Sequence, residues 1–259
     1  MNRIDRLFRT KNTGILSVYF TAGYPSPGST TDIIISLAGA GADMVEIGIP
    51  FSDPLADGPV IQNSSSVAIR NGMSLKLLFS QIERIREKVD IPLLLMGYLN
   101  PVLKFGMENF CRKCAETGID GVILPDLPPE MYDEQYRPLF RQYNLFNILL
   151  VSPLTDSERA GYIDSITDGF IYMVSSSSVT GVKPGFSGEQ KSYFQRMVSL
   201  NLSHPLLIGF GISSPETFRE ACLYGNGAIT GSAFIKMLEK EGFNEKNIIQ
   251  FVQDFKRKL

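Results

Sequence analysis

The stretch EIGIPFSDPLADGP, residues 46–59, sets Glu46, Asp53 and Asp57 among glycines and prolines, with no Lys, Arg or His among them. A carboxylate buried without a counter-charge has its pKa raised, because desolvation penalises the charged form, and such a group suits proton exchange near neutral pH. Glu46 meets that condition. It stands in MVEIG, residues 44–48, where alternation puts Val45 and Ile47 on one face and Met44 and Glu46 on the other. Both faces of a barrel strand are covered, and no Lys, Arg or His occurs in any of the chain's β-type runs. Asp57 follows on the next loop, just ahead of Pro59. Taken alone it reads as a helix N-cap before it reads as a catalyst. Asp53, before Pro54, reads as the residue that fixes the turn.

Two further segments have chemical potential. GFGIS (209–213) and GAITGSAF (227–234) each place small residues where a strand gives way to a helix. Glycine there lets backbone approach a phosphate while helix N–H groups point at it, although tight turns ask for the same residues. The polar, glycine-containing run SSSSVTGVKPGFSGEQKS begins at residue 175 and is long for a connection; it reads equally as a lid or as a loop without function. Tyr172 alternates with Ile171 and Met173 and faces inward if Phe170 and Val174 do; by itself it reads as a packed tyrosine with a bonded hydroxyl. Other chemistries lack their residues. No strand carries a lysine for a Schiff base, and the single His204, in SHPLLIG, lies at a strand's start, so neither a metal triad nor a Ser-His-Asp triad is expected. Cys111 and Cys114 form a CxxC inside a helical pattern with no second pair, and read as packing residues.

The elements that must position these residues are eight near-continuously apolar runs: ILSVYF, MVEIG, PLLLMG, GVILP, NILLV, FIYMV, LLIGF and GAITG. Parallel strands covered on both faces look like this. Helical segments separate them. Ser74 precedes an apolar-periodic stretch, Thr155/Glu158 and Ser187/Gln190 have capping-box spacing, and Ser214 followed by Pro215 reads as an N-cap with proline at the first helical position. The joints GAGADMVEIG, ETGIDGVILP and YGNGAITGSA each read as a helix ended by glycine and followed by a strand. In the tail, Ile248, Val252, Phe255 and Leu259 share one helix face. Eight strand–helix alternations in a chain of 259 residues give the count of an α/β, single-domain (β/α)8 TIM barrel over residues 1–259, with an additional N-terminal helix. The rival is a doubly wound sheet, which would want GxGxxG after its first strand, and YFTAGYPSPGS does not supply it.

Composition narrows the setting. With 25 Lys+Arg against 27 Asp+Glu and no basic block, nucleic acid is not expected as a partner. The N-terminus has no signal-peptide pattern, no apolar run is long enough for a membrane helix, and three cysteines fit a reducing compartment, so a cytoplasmic protein is expected.

The segment VEIGIPFSDPLADGPVIQ closely resembles the signature of the tryptophan synthase alpha chain family, and SVTG, GFGISSPE and GAITGSA match its later segments in order. The resemblance covers essentially the whole chain. It implies a TIM-barrel lyase that splits indole-3-glycerol phosphate into indole and glyceraldehyde 3-phosphate. It also implies an αββα complex with a beta chain that holds pyridoxal phosphate, with no cofactor and no metal in this chain. The family's catalytic glutamate and aspartate fall on Glu46 and Asp57. Its substrate-pocket positions fall on Phe20, Tyr172, Thr180 and Phe210, and its phosphate-binding positions on Gly181, Gly211, Gly231 and Ser232. Asp126, in LPDLP, matches a loop position tied to inter-subunit communication. Where several members have Arg and Gly ahead of VTG, this chain has Ser176 and Ser178. The acid pair favours an active lyase over a non-catalytic subunit that only activates the beta chain and seals its indole channel.

Overall fold

The computed structural model describes residues 1–55, 57–175 and 185–257. Its strands are β1 (Ile15–Thr21), β2 (Met44–Gly48), β3 (Leu93–Met96), β4 (Gly121–Ile123), β5 (Phe146–Asn147), β6 (Leu150–Val151), β7 (Ile171–Val174), β8 (Leu206–Gly209) and β9 (Gly227–Thr230). All pairings are parallel, in the order β5-β4-β3-β2-β1-β9-β8-β7-β6. The two ends of that order, β5 and β6, are halves of one short run. Ile148 N donates to Val122 O at 2.9 Å on one side and Tyr172 N to Leu149 O at 3.0 Å on the other. The sheet therefore closes on itself as an eight-stranded barrel, the fifth wall segment being split, with helices on the outside as expected.

Register defines the barrel's inside. Ser17, Tyr19 and Thr21 of β1 share a face with Met44, Glu46 and Gly48 of β2, because paired residues in parallel strands point the same way. Tyr172 of β7 pairs with Leu207 of β8, and Val174 with Gly209. Two glycines are set by close approach: a Cβ on Gly48 would overlap the Tyr19 hydroxyl, and one on Gly209 the Tyr172 hydroxyl. Both tyrosine side chains thus reach across a neighbouring strand inside the barrel.

The N-terminal helix, Arg3–Thr10, plugs the end where the strands begin. Ile4 is fully buried against Gly121 and Gly169, and the Phe8 ring lies 5.9 Å from that of Phe170. Asn2 accepts from Ile4 N at 2.9 Å and donates to Asp120 O at 2.8 Å, while Arg3 and Arg86 both pair with the buried Asp120 carboxylate. His204 lies at this end too, 2.9 Å from Asp164. Only the opposite end, where the strands stop, is left for a site.

Most helix signals hold. Ser74 and Ser214 accept from the third amide after them, Ser187 and Gln190 form the capping box, and Gly41 and Gly118 stop their helices in the left-handed conformation. Two readings need correction. The helix Ser157–Ile166 is capped by Asp156, whose carboxylate accepts from Arg159 N at 2.7 Å, while Thr155 Oγ1 is engaged by Ser152 N. The helix Pro215–Ala221 ends on Cys222 and not on a glycine. Cys111 and Cys114 are buried free thiols on the helix Met107–Thr117, and Ile248, Val252 and Phe255 bury the face of the last helix; Leu259 lies outside the described residues.

Candidate active site

Glu46 faces the barrel interior opposite Tyr19 and Leu94 and has no exposed surface. Ser17 Oγ donates to its Oε1 at 2.8 Å; its Oε2 is buried with no hydrogen-bond partner among the described residues. Burial pushes the carboxyl up to about 8 against the opposing pull of the Ser17 hydroxyl. Among the described residues, the titratable groups that act on this part of the interior besides Glu46 are Asp57, Tyr19, Tyr98 and Tyr172. None of these is a cation, so among the described residues no arginine holds Glu46 ionised.

Asp57 leaves its capping role to another residue. The N-cap of the helix Pro59–Arg70 is Gly58, which makes no side-chain cap bond, so the Asp57 carboxylate is free to turn elsewhere. It accepts from the Tyr98 hydroxyl at 3.1 Å, and burial raises it to about 6 although the Tyr98 bond lowers it. The Tyr98 ring packs on Phe51 with centroids 5.1 Å apart. One residue on, Leu99 N donates to Asp126 at 2.9 Å, so the loop after β4 fixes the start of the helix Leu99–Phe105 and with it the tyrosine that bonds Asp57. Asp53 stays outside this group: it is exposed, bonded by Ser52, and its carbonyl accepts from Leu55 N at 2.9 Å in the turn.

Two loops at the strand ends build the other wall. Phe210 and Gly211 follow β8 in the left-handed conformation, φ 65° and 77°. Such a backbone is strained for phenylalanine, and the Ser175 hydroxyl holds it by donating to Phe210 O at 2.7 Å. The Phe210 ring meets that of Tyr172 edge-on at 6.2 Å. Thr230 Oγ1 donates to Ile212 O at 2.9 Å and ties this loop to the one after β9. There Gly231 is the N-cap of the helix Ser232–Glu241, without a side-chain cap bond, and a Cβ at this position would press on the Tyr19 ring at 3.1 Å. The first amides of that helix have no intrahelical acceptor, and its dipole favours an anion. Gln190 bridges the two ends of the long loop, donating from Nε2 to Ser175 O at 3.0 Å and accepting at Oε1 from Ser187 N at 2.8 Å.

The interior thus brings together Glu46, Asp57, Tyr172 and Phe210, with Gly211, Gly231 and Ser232 at the rim. Phe20 is not among them. It pairs with Ile47 and, by alternation with Tyr19, points out to the helix layer, where it is fully buried. Tyr19 occupies the interior in its place, a residue that the alternation Ser17–Tyr19–Thr21 in step with Glu46 could have revealed. Thr180 and Gly181, with Ser176 and Ser178, lie outside the described residues. Among the described residues no group of three or more His, Cys, Asp or Glu is placed to hold a metal ion, and no helix is long and apolar enough to cross a membrane.

The chain is similar along its length to known proteins. The sequence model of the family described as tryptophan synthase alpha chain matches residues 6–259. A tryptophan synthase alpha chain of Flavobacterium psychrophilum is 53% identical over 98% of this chain and 99% of its own length. That of Flavobacterium johnsoniae is 54% identical over 93% and 95%. Among solved structures, the tryptophan synthase alpha chain from Legionella pneumophila superposes with a TM-score of 0.88 at 31% identity, covering 99% of this chain and 97% of that one. A tryptophan synthase structure from Mycobacterium tuberculosis gives 0.85 at 26% identity, with 98% of each chain covered.

Proposed function

The chain belongs to the tryptophan synthase alpha chain family, and from that premise we propose that Glu46 and Asp57 are the acid pair with which it works. It is a carbon–carbon lyase that cleaves indole-3-glycerol phosphate to indole and glyceraldehyde 3-phosphate in tryptophan biosynthesis. One observation carries the residue assignment: two carboxyls at one barrel mouth, with no cation among the described residues acting on either, are pushed to about 8 and about 6. Between those values Glu46 holds its proton and Asp57 is ionised, which divides acid from anion.

In this reading Glu46 gives its proton to C3 of the indole ring, and Asp57 accepts the indole N–H and offsets the positive charge that develops on the ring nitrogen. The Glu46 carboxylate then takes the proton of the glycerol hydroxyl next to the scissile bond. That C–O becomes a carbonyl, the C–C electrons return to the ring, indole leaves, and Glu46 is protonated again. Tyr19, Tyr172 and Phe210 form the apolar walls that take the aromatic ring. The backbone at Gly211, Gly231 and Ser232, with Gly181 from the long loop, takes the phosphate. This is proton transfer by side chains and asks for no cofactor of this chain.

The family implies a tryptophan synthase beta chain as partner. We assign the pyridoxal phosphate to that beta chain and the assembly to an αββα heterotetramer, with this chain, 1–259, as one domain. Leu55, 88% exposed beside Asp57, and Leu154, 85% exposed after β6, offer apolar contact at the mouth. Free Cys111, Cys114 and Cys222 fit a cytoplasmic setting.

The test is indole release from indole-3-glycerol phosphate by the chain alone and with a beta chain. Glu46→Gln is expected to bind substrate and release none. Near-normal turnover by that variant would refute the assignment, and no release by the unmodified chain under either condition would make it a non-catalytic subunit.

A further inference from the structure

We propose that Ser17 is a positioning residue for the cleavage reaction, whose hydroxyl fixes Oε1 of Glu46 as an acceptor and so leaves Oε2 as the oxygen that carries and transfers the proton. The inference rests on the reading of Glu46 as the proton-transferring acid. It starts from a neutral carboxyl's freedom to hold its proton on either oxygen. Only an oxygen directed at substrate can deliver it.

Ser17 and Glu46 lie on adjacent strands and on the same inward face. Ser17 pairs with Met44, one two-residue step nearer the plugged end than the pair Tyr19 and Glu46. The hydroxyl therefore meets Oε1 from below, at 2.8 Å, with both residues fully buried. Accepting that bond makes Oε1 the carbonyl oxygen and puts the proton on Oε2, which has no partner among the described residues. Among the described residues, the other titratable groups in this part of the interior are the Tyr19 phenol from β1, the Tyr172 phenol from β7, Asp57 from the loop after β2 and the Tyr98 phenol that bonds it. None of them is cationic, so Ser17 is the group that favours the ionised form that Glu46 must pass through, opposing burial. A hydroxyl at a buried strand position is costly unless it is bonded, and apolar residues fill the neighbouring positions Leu16 and Val18.

The experiment is the pH profile of kcat/KM for Ser17→Ala and for Ser17→Cys, whose thiol is similar in size and a weak donor. With the bond lost, the limb on which activity falls at high pH should move up by about one pH unit, and kcat at neutral pH should drop by about tenfold with KM within about twofold. Ser17→Cys should fall between the two and also serves if the alanine variant does not fold. Titration of the Glu46 carboxyl by 13C NMR reads the same contact without turnover, so it decides the matter even in a chain that proves inactive. A profile and a carboxyl titration that superimpose on those of the unmodified chain, with loss of melting temperature alone, would overturn the inference and leave the role of Glu46 standing. Full turnover by Glu46→Gln would instead remove the reading on which it rests.

Discussion

Replacing Glu46 by Gln should stabilise the fold, and the gain should grow with pH. The folded carboxyl titrates at about 8 against an ordinary value of 4.5. Across that window the folded chain keeps a proton that the unfolded chain has released, so stability is full below the unfolded value and falls as pH rises towards the folded one. At 1.36 kcal/mol per pH unit, the deficit of the unmodified chain reaches about 3 kcal/mol at pH 7 and levels off near 5 kcal/mol above pH 8. Glutamine does not titrate, and any cost of burying its amide is the same at every pH. The quantity to measure is therefore the difference between variant and unmodified chain, from urea unfolding followed by circular dichroism at several values between about pH 5 and pH 9. Asp57 and the surface carboxylates titrate in both proteins and cancel. The difference should grow by about 1.4 kcal/mol per pH unit up to pH 8 and then flatten. Stability curves that run parallel would refute the claim that Glu46 is buried without a counter-charge, and with it the reason for assigning it the proton.

Tyr98→Phe removes the 3.1 Å bond that favours the ionised form of Asp57, so the limb of kcat/KM on which activity rises should move up from about 6, by about one pH unit; an unmoved limb would mean that Tyr98 only packs. Gly211→Ala places a Cβ on a backbone with φ 77°, at a cost of about 1 kcal/mol, and should raise KM about fivefold with kcat little changed; a fall in kcat at constant KM would place this glycine away from the phosphate.

The strands were legible because each is a near-continuously apolar run in a barrel that covers both faces, and length with flanking glycines tells such runs from helix. The break within the fifth was not: in NILLV only Asn147 interrupts the apolar run, and what splits it is that Phe146 and Asn147 pair with β4 while Leu150 and Val151 pair with β7, no residue pairing with both. Thr155 and Asp156 are adjacent and both suited to cap, and the choice between them fell to the Ser152 turn that takes up the Thr155 hydroxyl. Phe20 shows the sharpest limit. A one-residue slip in a strand moves a side chain to the other face, so matching a motif one position off traded an interior tyrosine for a phenylalanine of the helix layer. Glu46 could be read locally because what marks it is a lack of cations in the strand runs, whereas Asp57 read locally as a helix N-cap and took its catalytic role from the family resemblance. Their partners could not, since Ser17 and Tyr98 stand 29 and 41 residues away and meet them through strand register and loop packing.

The two ends of the barrel show why that lack of cations matters. Asp120, as buried as a catalytic acid, is paired at the plugged end with Arg3 and Arg86, and such a paired carboxylate fastens elements together. At the mouth, Glu46 and Asp57 are bonded by the hydroxyls of Ser17 and Tyr98, which satisfy part of each carboxyl without fixing a positive charge. The difference acts twice in the reaction. A guanidinium in place of Ser17 would hold Glu46 ionised at neutral pH, removing the acid before the first step. It would also oppose the cation formed when C3 is protonated: two like charges about 4 Å apart at an effective dielectric of about 20 repel by about 4 kcal/mol, or about a thousandfold in rate. A barrel that can build either kind of carboxylate has the arginine-paired one where the strands start and the hydroxyl-bonded ones, both raised by burial, where they end.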